Sequence, residues 1–209
     1  KVILYHANRP KFADIIEKAL KQYAIVLSRR RAAYRAKGYV KYTWEVPADR
    51  FYKEDTNSVC PKIENHALMP YIQENRVSSP EEKFTAFLEE NTDYIDWWYK
   101  NGDSGKQHYA ISYTNVNGDK ALFYVDFVIR MKNGQVFLFD TKSEDSDKNA
   151  PSKHNALIDY IHSEENADKH LKGGVIIQSG ENWKYCPLKI ENTTDISGWD
   201  CFYPDEYKV

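Results

Sequence analysis

The sequence predicts an α/β fold: a mixed central β-sheet flanked by helices, preceded by an N-terminal helical and linker segment. Three observations carry this. Short alternating segments separated by turn signals run from 94 to 142, which favours antiparallel neighbours. A helical segment, 154–171, then leads into the apolar run GGVIIQS at 173–179. A helical crossover before a buried strand favours a parallel pair. With 209 residues, 42% of them hydrophobic, the chain is long enough for one substantial core.

The elements follow in order. KVILYH at 1–6 predicts a short strand. From Phe12 the apolar residues Ile15, Ile16, Ala19, Leu20, Tyr23 and Leu27 recur at three and four, predicting a helix to about Ala36 with Gly38 as its stop. Its basic end, SRRRAAYRAK, suits either the negative end of the helix dipole or nucleic-acid phosphates. Pro47, Pro61 and Pro70 break up residues 38–78, for which little regular structure is expected. A second helix opens at SSPEEKF, with Ser79 as N-cap, Pro80 in the first turn and Glu82 completing a capping box. Strands are expected at 94–101, 107–116, 121–131 and 135–142. The tail beyond Asn182 is expected to be irregular, anchored by Trp183, Trp199 and Phe202.

Composition limits function. A net charge of −2 excludes a uniformly basic nucleic-acid binder but not a local basic groove. Cys60, Cys186 and Cys201 are widely spaced, without a C-x-x-C pair, so neither a zinc site nor a disulfide framework is expected. Reduced thiols fit a cytoplasmic protein. No apolar run reaches the ~20 residues of a membrane span. A chain that begins at Lys1 is expected to be a segment of a longer polypeptide. NGDSGKQ, 101–107, lacks the spacing of a phosphate-binding loop. EDSDKN, 144–149, is expected to be a hydrated loop.

YVDFVIRMKNGQVFLFDTK, 124–142, carries the chemistry. A two-residue loop, Asn133-Gly134, sets Asp126 opposite Thr141 and sends Asp140 to the other face. A three-residue loop, Lys132-Asn133-Gly134 with Gly134 left-handed in a bulge, sets Asp126 opposite Asp140. The second register also gathers Val125, Phe127, Ile129 and Met131 with Phe137, Phe139 and Thr141 on one apolar face. Asp126, Asp140 and Lys142 then share the other. Two carboxylates with Cβ atoms ~5 Å apart repel unless a cation or proton lies between them. Oxygen ligands suit Mg²⁺ or Mn²⁺. A salt bridge from Lys142 to the two acids is the alternative.

The same stretch resembles the core of the PD-(D/E)XK nuclease superfamily. More narrowly, it resembles the endonuclease domain that ends the Res (helicase-nuclease) subunit of type III restriction enzymes, a restriction-endonuclease-like fold. EEKFTAFLEENTDYIDWWYKNG, HYAISY, SKHNALIDYI and KGGVIIQ resemble further family segments in the family's order, over residues 79–186. Val125 stands where the family usually has proline. The resemblance implies a nuclease domain at 79–209, with 1–78 joining it to a helicase motor.

It also implies Mg²⁺-dependent hydrolysis of DNA phosphodiesters, with Mn²⁺ as a substitute. Asp126 and Asp140 would hold one or two ions with the Thr141 carbonyl as a further ligand, Lys142 would position or deprotonate the attacking water, and a glutamate of the opening helix would face the site as a direct or water-mediated metal ligand. Glu81 is three residues before Phe84 and seven before Leu88, on their inward face, whereas Glu82 is explained by the cap. Glu89 and Glu90 are expected at the solvated end of that helix. Lys100, Asn101 and Lys153 are candidates for DNA contact, and His154 for a surface or capping histidine. The implied partners are DNA, a helicase/ATPase region of the same full-length chain and a modification subunit, with no membrane. A DNA-binding or docking domain that keeps the fold without turnover is the competing function. A structural domain that binds a partner through Trp97, Trp98 and Tyr99 is the weaker third.

Overall fold

The structure, a computed structural model, describes residues 8–36, 44–48, 57–74, 77–103, 108–142 and 148–208. The strand expected at 1–6, the helix stop expected at Gly38, part of the turn expected at 101–105 and most of the loop expected at 144–149 lie outside them. Among the described residues, no helix is long and apolar enough to cross a membrane. The chain forms two compact units, Lys1–Glu45 and Val46–Val209.

The described residues of the first unit include one helix, α1 (Arg9–Ala36). Its exposed face is laced by i,i+4 ion pairs, Asp14–Lys18 at 2.8 Å and Glu17–Lys21 at 2.7 Å. Ile15, Ile16, Leu20 and Tyr23 are also exposed.

The second unit starts earlier than the boundary at 78 expected from the sequence. Strands β1 (Asn57–Val59) and β2 (Ile72–Glu74) pair antiparallel. Between and beside them, Ile63 and Tyr71 enter the main core. Residues 65–67 run along β3 (Ile95–Lys100): Trp98 N–H donates to Asn65 O at 3.1 Å and Ala67 N–H to Trp98 O at 2.7 Å. Turn-rich composition hid a segment that is fastened through its backbone.

Helix α2 (Ser79–Glu90) is capped one residue earlier than expected. Ser78 is the N-cap, and Glu81 closes the box by accepting from Ser78 N–H at 2.7 Å. Two serines precede two glutamates, so both frames satisfy the S-x-x-E pattern. Phe84 and Leu88 turn inward onto Phe127, Phe139, Ile176 and Trp183.

After β3 come β4 (Ala110–Thr114), β5 (Lys120–Tyr124), β6 (Phe127–Met131) and β7 (Val136–Lys142). The single strand expected over 121–131 is two. β5 pairs with β4 in a separate hairpin, whereas β6 pairs with β3 and β7. The break falls at Val125–Asp126 and is stapled by Asn101. The Asn101 side chain donates to Tyr109 O at 2.8 Å and Val125 O at 2.9 Å, and accepts from Tyr109 N–H at 3.0 Å.

The β6–β7 register is that of the three-residue loop. Phe127 faces Phe139, Ile129 faces Phe137, and Met131 N–H donates to Gln135 O at 2.8 Å. Gly134 has φ +88°, the left-handed value the bulge requires.

Helix α3 (Ala150–Ile161) is shorter than expected, ending where Asn166 Nδ2 donates to Tyr160 O at 2.7 Å. It makes the crossover to β8 (Leu171–Ser179), which lies parallel to β7. A Cβ at Gly173 would stand 2.0 Å from Leu138 O, so this pairing tolerates only glycine there. The tail adds β9 (Asn182–Tyr185) and β10 (Asp200–Cys201) rather than irregular chain. Trp183, Trp199 and Phe202 are buried as expected. The sheet order is β10-β9-β8-β7-β6-β3, mixed, with α2 and α3 packed against it.

Candidate active site at the β6–β7 strand ends

Asp126 occupies the bend between the two sheets, just before β6, and its backbone carbonyl accepts from Asn101 N–H at 2.8 Å. Outside the strand, alternation no longer dictates where its side chain goes. Oδ2 accepts two hydrogen bonds from Thr141, from the backbone N–H and from the hydroxyl, each 2.7 Å. Thr141 alternates with Asp140 along β7, so its hydroxyl leaves the opposite face. The expectation that Asp126 and Asp140 project side by side from one face is therefore corrected. The backbone register is as expected, but the Asp126 carboxylate is drawn round the strand end towards Thr141.

Asp126 Oδ1 faces the Lys100 ammonium at 3.7 Å, and Lys100 Nζ donates to Glu81 Oε1 at 2.6 Å. Lys100 also lies over the Phe127 ring, 5.0 Å from its centre. Burial works against its charge, yet Asp126 and Glu81 outweigh it and hold the ammonium above the ordinary lysine range. Burial would likewise raise the Glu81 carboxyl, but Lys100 and the Ser78 bonds hold it below its usual value.

Asp140 is 2% exposed. Its Oδ2 is paired with Lys142 Nζ at 2.7 Å. Burial first, and the neighbouring Asp126 charge second, push its pKa up to about 7 against the pull of Lys142 and Lys153. The two aspartates thus remain within electrostatic reach although they leave the sheet differently.

No family model, curated protein or solved structure matches the chain.

The structure brings Glu81, Lys100, Asp126, Thr141, Asp140 and Lys142 together, with Lys153 at the first turn of α3 near Asp140. It separates Asn101 from any role in DNA contact. That side chain is 3% exposed, and both amide hydrogens and its oxygen are spent on backbone. Lys100 is likewise an inward residue, its side chain 12% exposed, rather than a surface contact. Glu89 is no solvated end. It accepts from Trp98 Nε1 at 2.6 Å and from Glu64 N–H at 2.8 Å, tying 63–66 to β3. His154, expected at the surface, is fully buried. Its Nδ1 accepts from Val175 N–H, so Nε2–H donates to Leu188 O, and burial pulls its pKa down.

Sequence reasoning missed His66. It is buried between Tyr71, Trp98 and Tyr99, and its Nε2 accepts from Lys100 N–H at 3.0 Å. The ring proton then sits on Nδ1, 2.8 Å from Leu68 O. Its segment carries no periodic pattern, so no signal marked it.

Fit to a divalent metal turns on donor chemistry. Among the described residues, no three His, Cys, Asp or Glu side chains gather as a metal cage. Mg²⁺ does not ask for one, because it is commonly held by one or two carboxylates with water and substrate phosphates completing the shell. Asp140 offers a buried carboxylate paired with Lys142 at 2.7 Å, and Asp126 lies within its electrostatic reach, so an ion bound by both would displace Lys142 from the first and Thr141 or Lys100 from the second.

Proposed function

We propose that this chain is a Mg²⁺-dependent endodeoxyribonuclease domain, of the kind that ends the Res subunit of type III restriction enzymes. The observation that carries the reading is Asp140: a buried carboxylate paired with Lys142 and within electrostatic reach of a second carboxylate, Asp126. Burying an acid against a like charge is unfavourable, and a divalent cation removes the conflict.

Asp126 and Asp140, with the Thr141 carbonyl, would hold the ion, which supplies Lewis-acid stabilisation of the phosphoryl centre and an acidified water. Lys142, fixed by Asp140, would orient that water and stabilise the charge that develops on the phosphoryl oxygens. Thr141 holds Asp126 in place through two hydrogen bonds. Lys153, at the start of α3 and over the Phe123 ring, would contact a DNA phosphate. Mn²⁺ should replace Mg²⁺. A helicase/ATPase region of the same polypeptide and a modification subunit would deliver DNA and choose the target in the cytoplasm.

The competing reading is a DNA-binding or docking domain whose site only stabilises the fold. It is favoured by the lysine already placed against each acid. Incubation with supercoiled plasmid separates the two. Nicking by the intact chain in Mg²⁺, absent in EDTA and absent for Asp126→Ala and Lys142→Ala, is expected. Cleavage by either variant at the wild-type rate would refute the assignment.

A further inference from the structure

Helix α1 carries its apolar residues on one stripe and shows that stripe to solvent. Phe12, Ile16, Ala19, Tyr23 and Val26 recur at four and three, the a and d spacing of a coiled-coil seam. Ile15 and Leu20 widen the seam on its two flanks. Ile15, Ile16, Leu20 and Tyr23 are each 57% exposed or more. The ion pairs Asp14–Lys18 and Glu17–Lys21 occupy the opposite face. A helix draws most of its stability from packing such a face, since helix propensity alone is marginal in water.

The stripe complements its own reverse. Lay α1 against a second α1 running the other way, with Ala19 of one opposite Tyr23 of the other. The remaining seam positions then fall opposite one another as well: Ile16 meets Val26, and Phe12 meets Arg30. The tyrosine ring lies against the smallest seam residue, and the arginine lies over an aromatic ring, a favourable cation–π pairing. Charge selects the direction. Arg29, Arg30, Arg31 and Arg35 crowd the C-terminal end, whereas Asp14 and Glu17 belong to the first half. A parallel pair would set those arginines against their copies, and an antiparallel pair sends them to opposite ends.

We infer that α1 is a dimerisation helix, pairing antiparallel with α1 of a second copy of this chain. The inference does not depend on the nuclease reading. Sedimentation of the intact chain at high micromolar concentration should give twice 24.5 kDa. The double variant Ile16→Glu, Leu20→Glu should sediment as a monomer and keep the thermal transition of the unit from Val46 onward. A monomeric wild type would assign the stripe to another occupant and overturn the inference, as would a dimer that survives both substitutions. Direction is read by disulfide trapping, with Cys60 and Cys201 replaced by serine and the buried Cys186 kept. An equal mixture of Ile16→Cys and Val26→Cys chains, one lengthened by a tag, should oxidise to the mixed disulfide. Each variant linking to itself, or no link at all, would overturn the antiparallel pairing.

Discussion

Asp140 is a carboxylate whose surroundings oppose its charge. Its folded value of about 7 stands above the ordinary 3.8. Between those values the folded chain keeps a proton that the unfolded chain has released. Stability is therefore lost as pH rises through that window, and the loss is complete above 7. The metal-free chain should show a thermal midpoint that falls from about pH 5 to about pH 8 more steeply than that of Asp140→Asn. Parallel pH profiles for the two would contradict the burial argument. The backbone register that sets Asp126 near Asp140 was legible because an Asn-Gly loop and alternating flanks allow few registers, whereas the turn of the Asp126 carboxylate to Thr141 was not. The inward placement of Glu81 was legible too, but for an incomplete reason. The capping box, expected on Glu82, is made by Glu81 itself, which serves the helix cap and Lys100 with different oxygens.

At the scale of elements, the bend between β5 and β6 decides where Asp126 points. ALFYVDFVIRM alternates without a breaker, so nothing local announces that it crosses from one sheet to another. The instruction is remote, in the three side-chain hydrogen bonds of Asn101. Removing them leaves buried backbone groups unpaired, each costing about 1–3 kcal/mol. Asn101→Ala should therefore lose stability in urea unfolding and, on the proposed nuclease reading, cleave DNA poorly, although it touches no acid side chain. Wild-type stability in that variant would show that the bend is held by something else. The helix ends follow the same lesson: α3 stops at Ile161 because Asn166 folds back onto Tyr160, a contact that periodicity does not encode.

On the scale of the whole molecule, the expected division at 78 and the observed compact unit from Val46 make different forecasts. Residues 57–74 bring Ile63 and Tyr71 into the main core and His66 beneath Lys100. Each large buried side chain removed costs about 2–5 kcal/mol, a large share of a typical domain's stability. A chain starting at Val46 should unfold cooperatively, near the midpoint of the full chain. One starting at Ser79 should lose its cooperative transition. If both truncations melt alike, the segment before 79 is dispensable and the packing account fails. The central mixed sheet was readable from strand spacing and the helical crossover. The contribution of 57–74 was not, because its fastening is mostly backbone to backbone and aromatic contact at long range.

The stretch at 65–67 has one more effect. By lying along β3 it satisfies Trp98 on that strand's outer side, while the opposite flank ends in β10, only two residues long. Open sheet borders invite chain-to-chain growth. With one border covered and the other too short to template a neighbour, the six-stranded sheet offers copies of itself little seam, among the described residues, along which to stack into fibres.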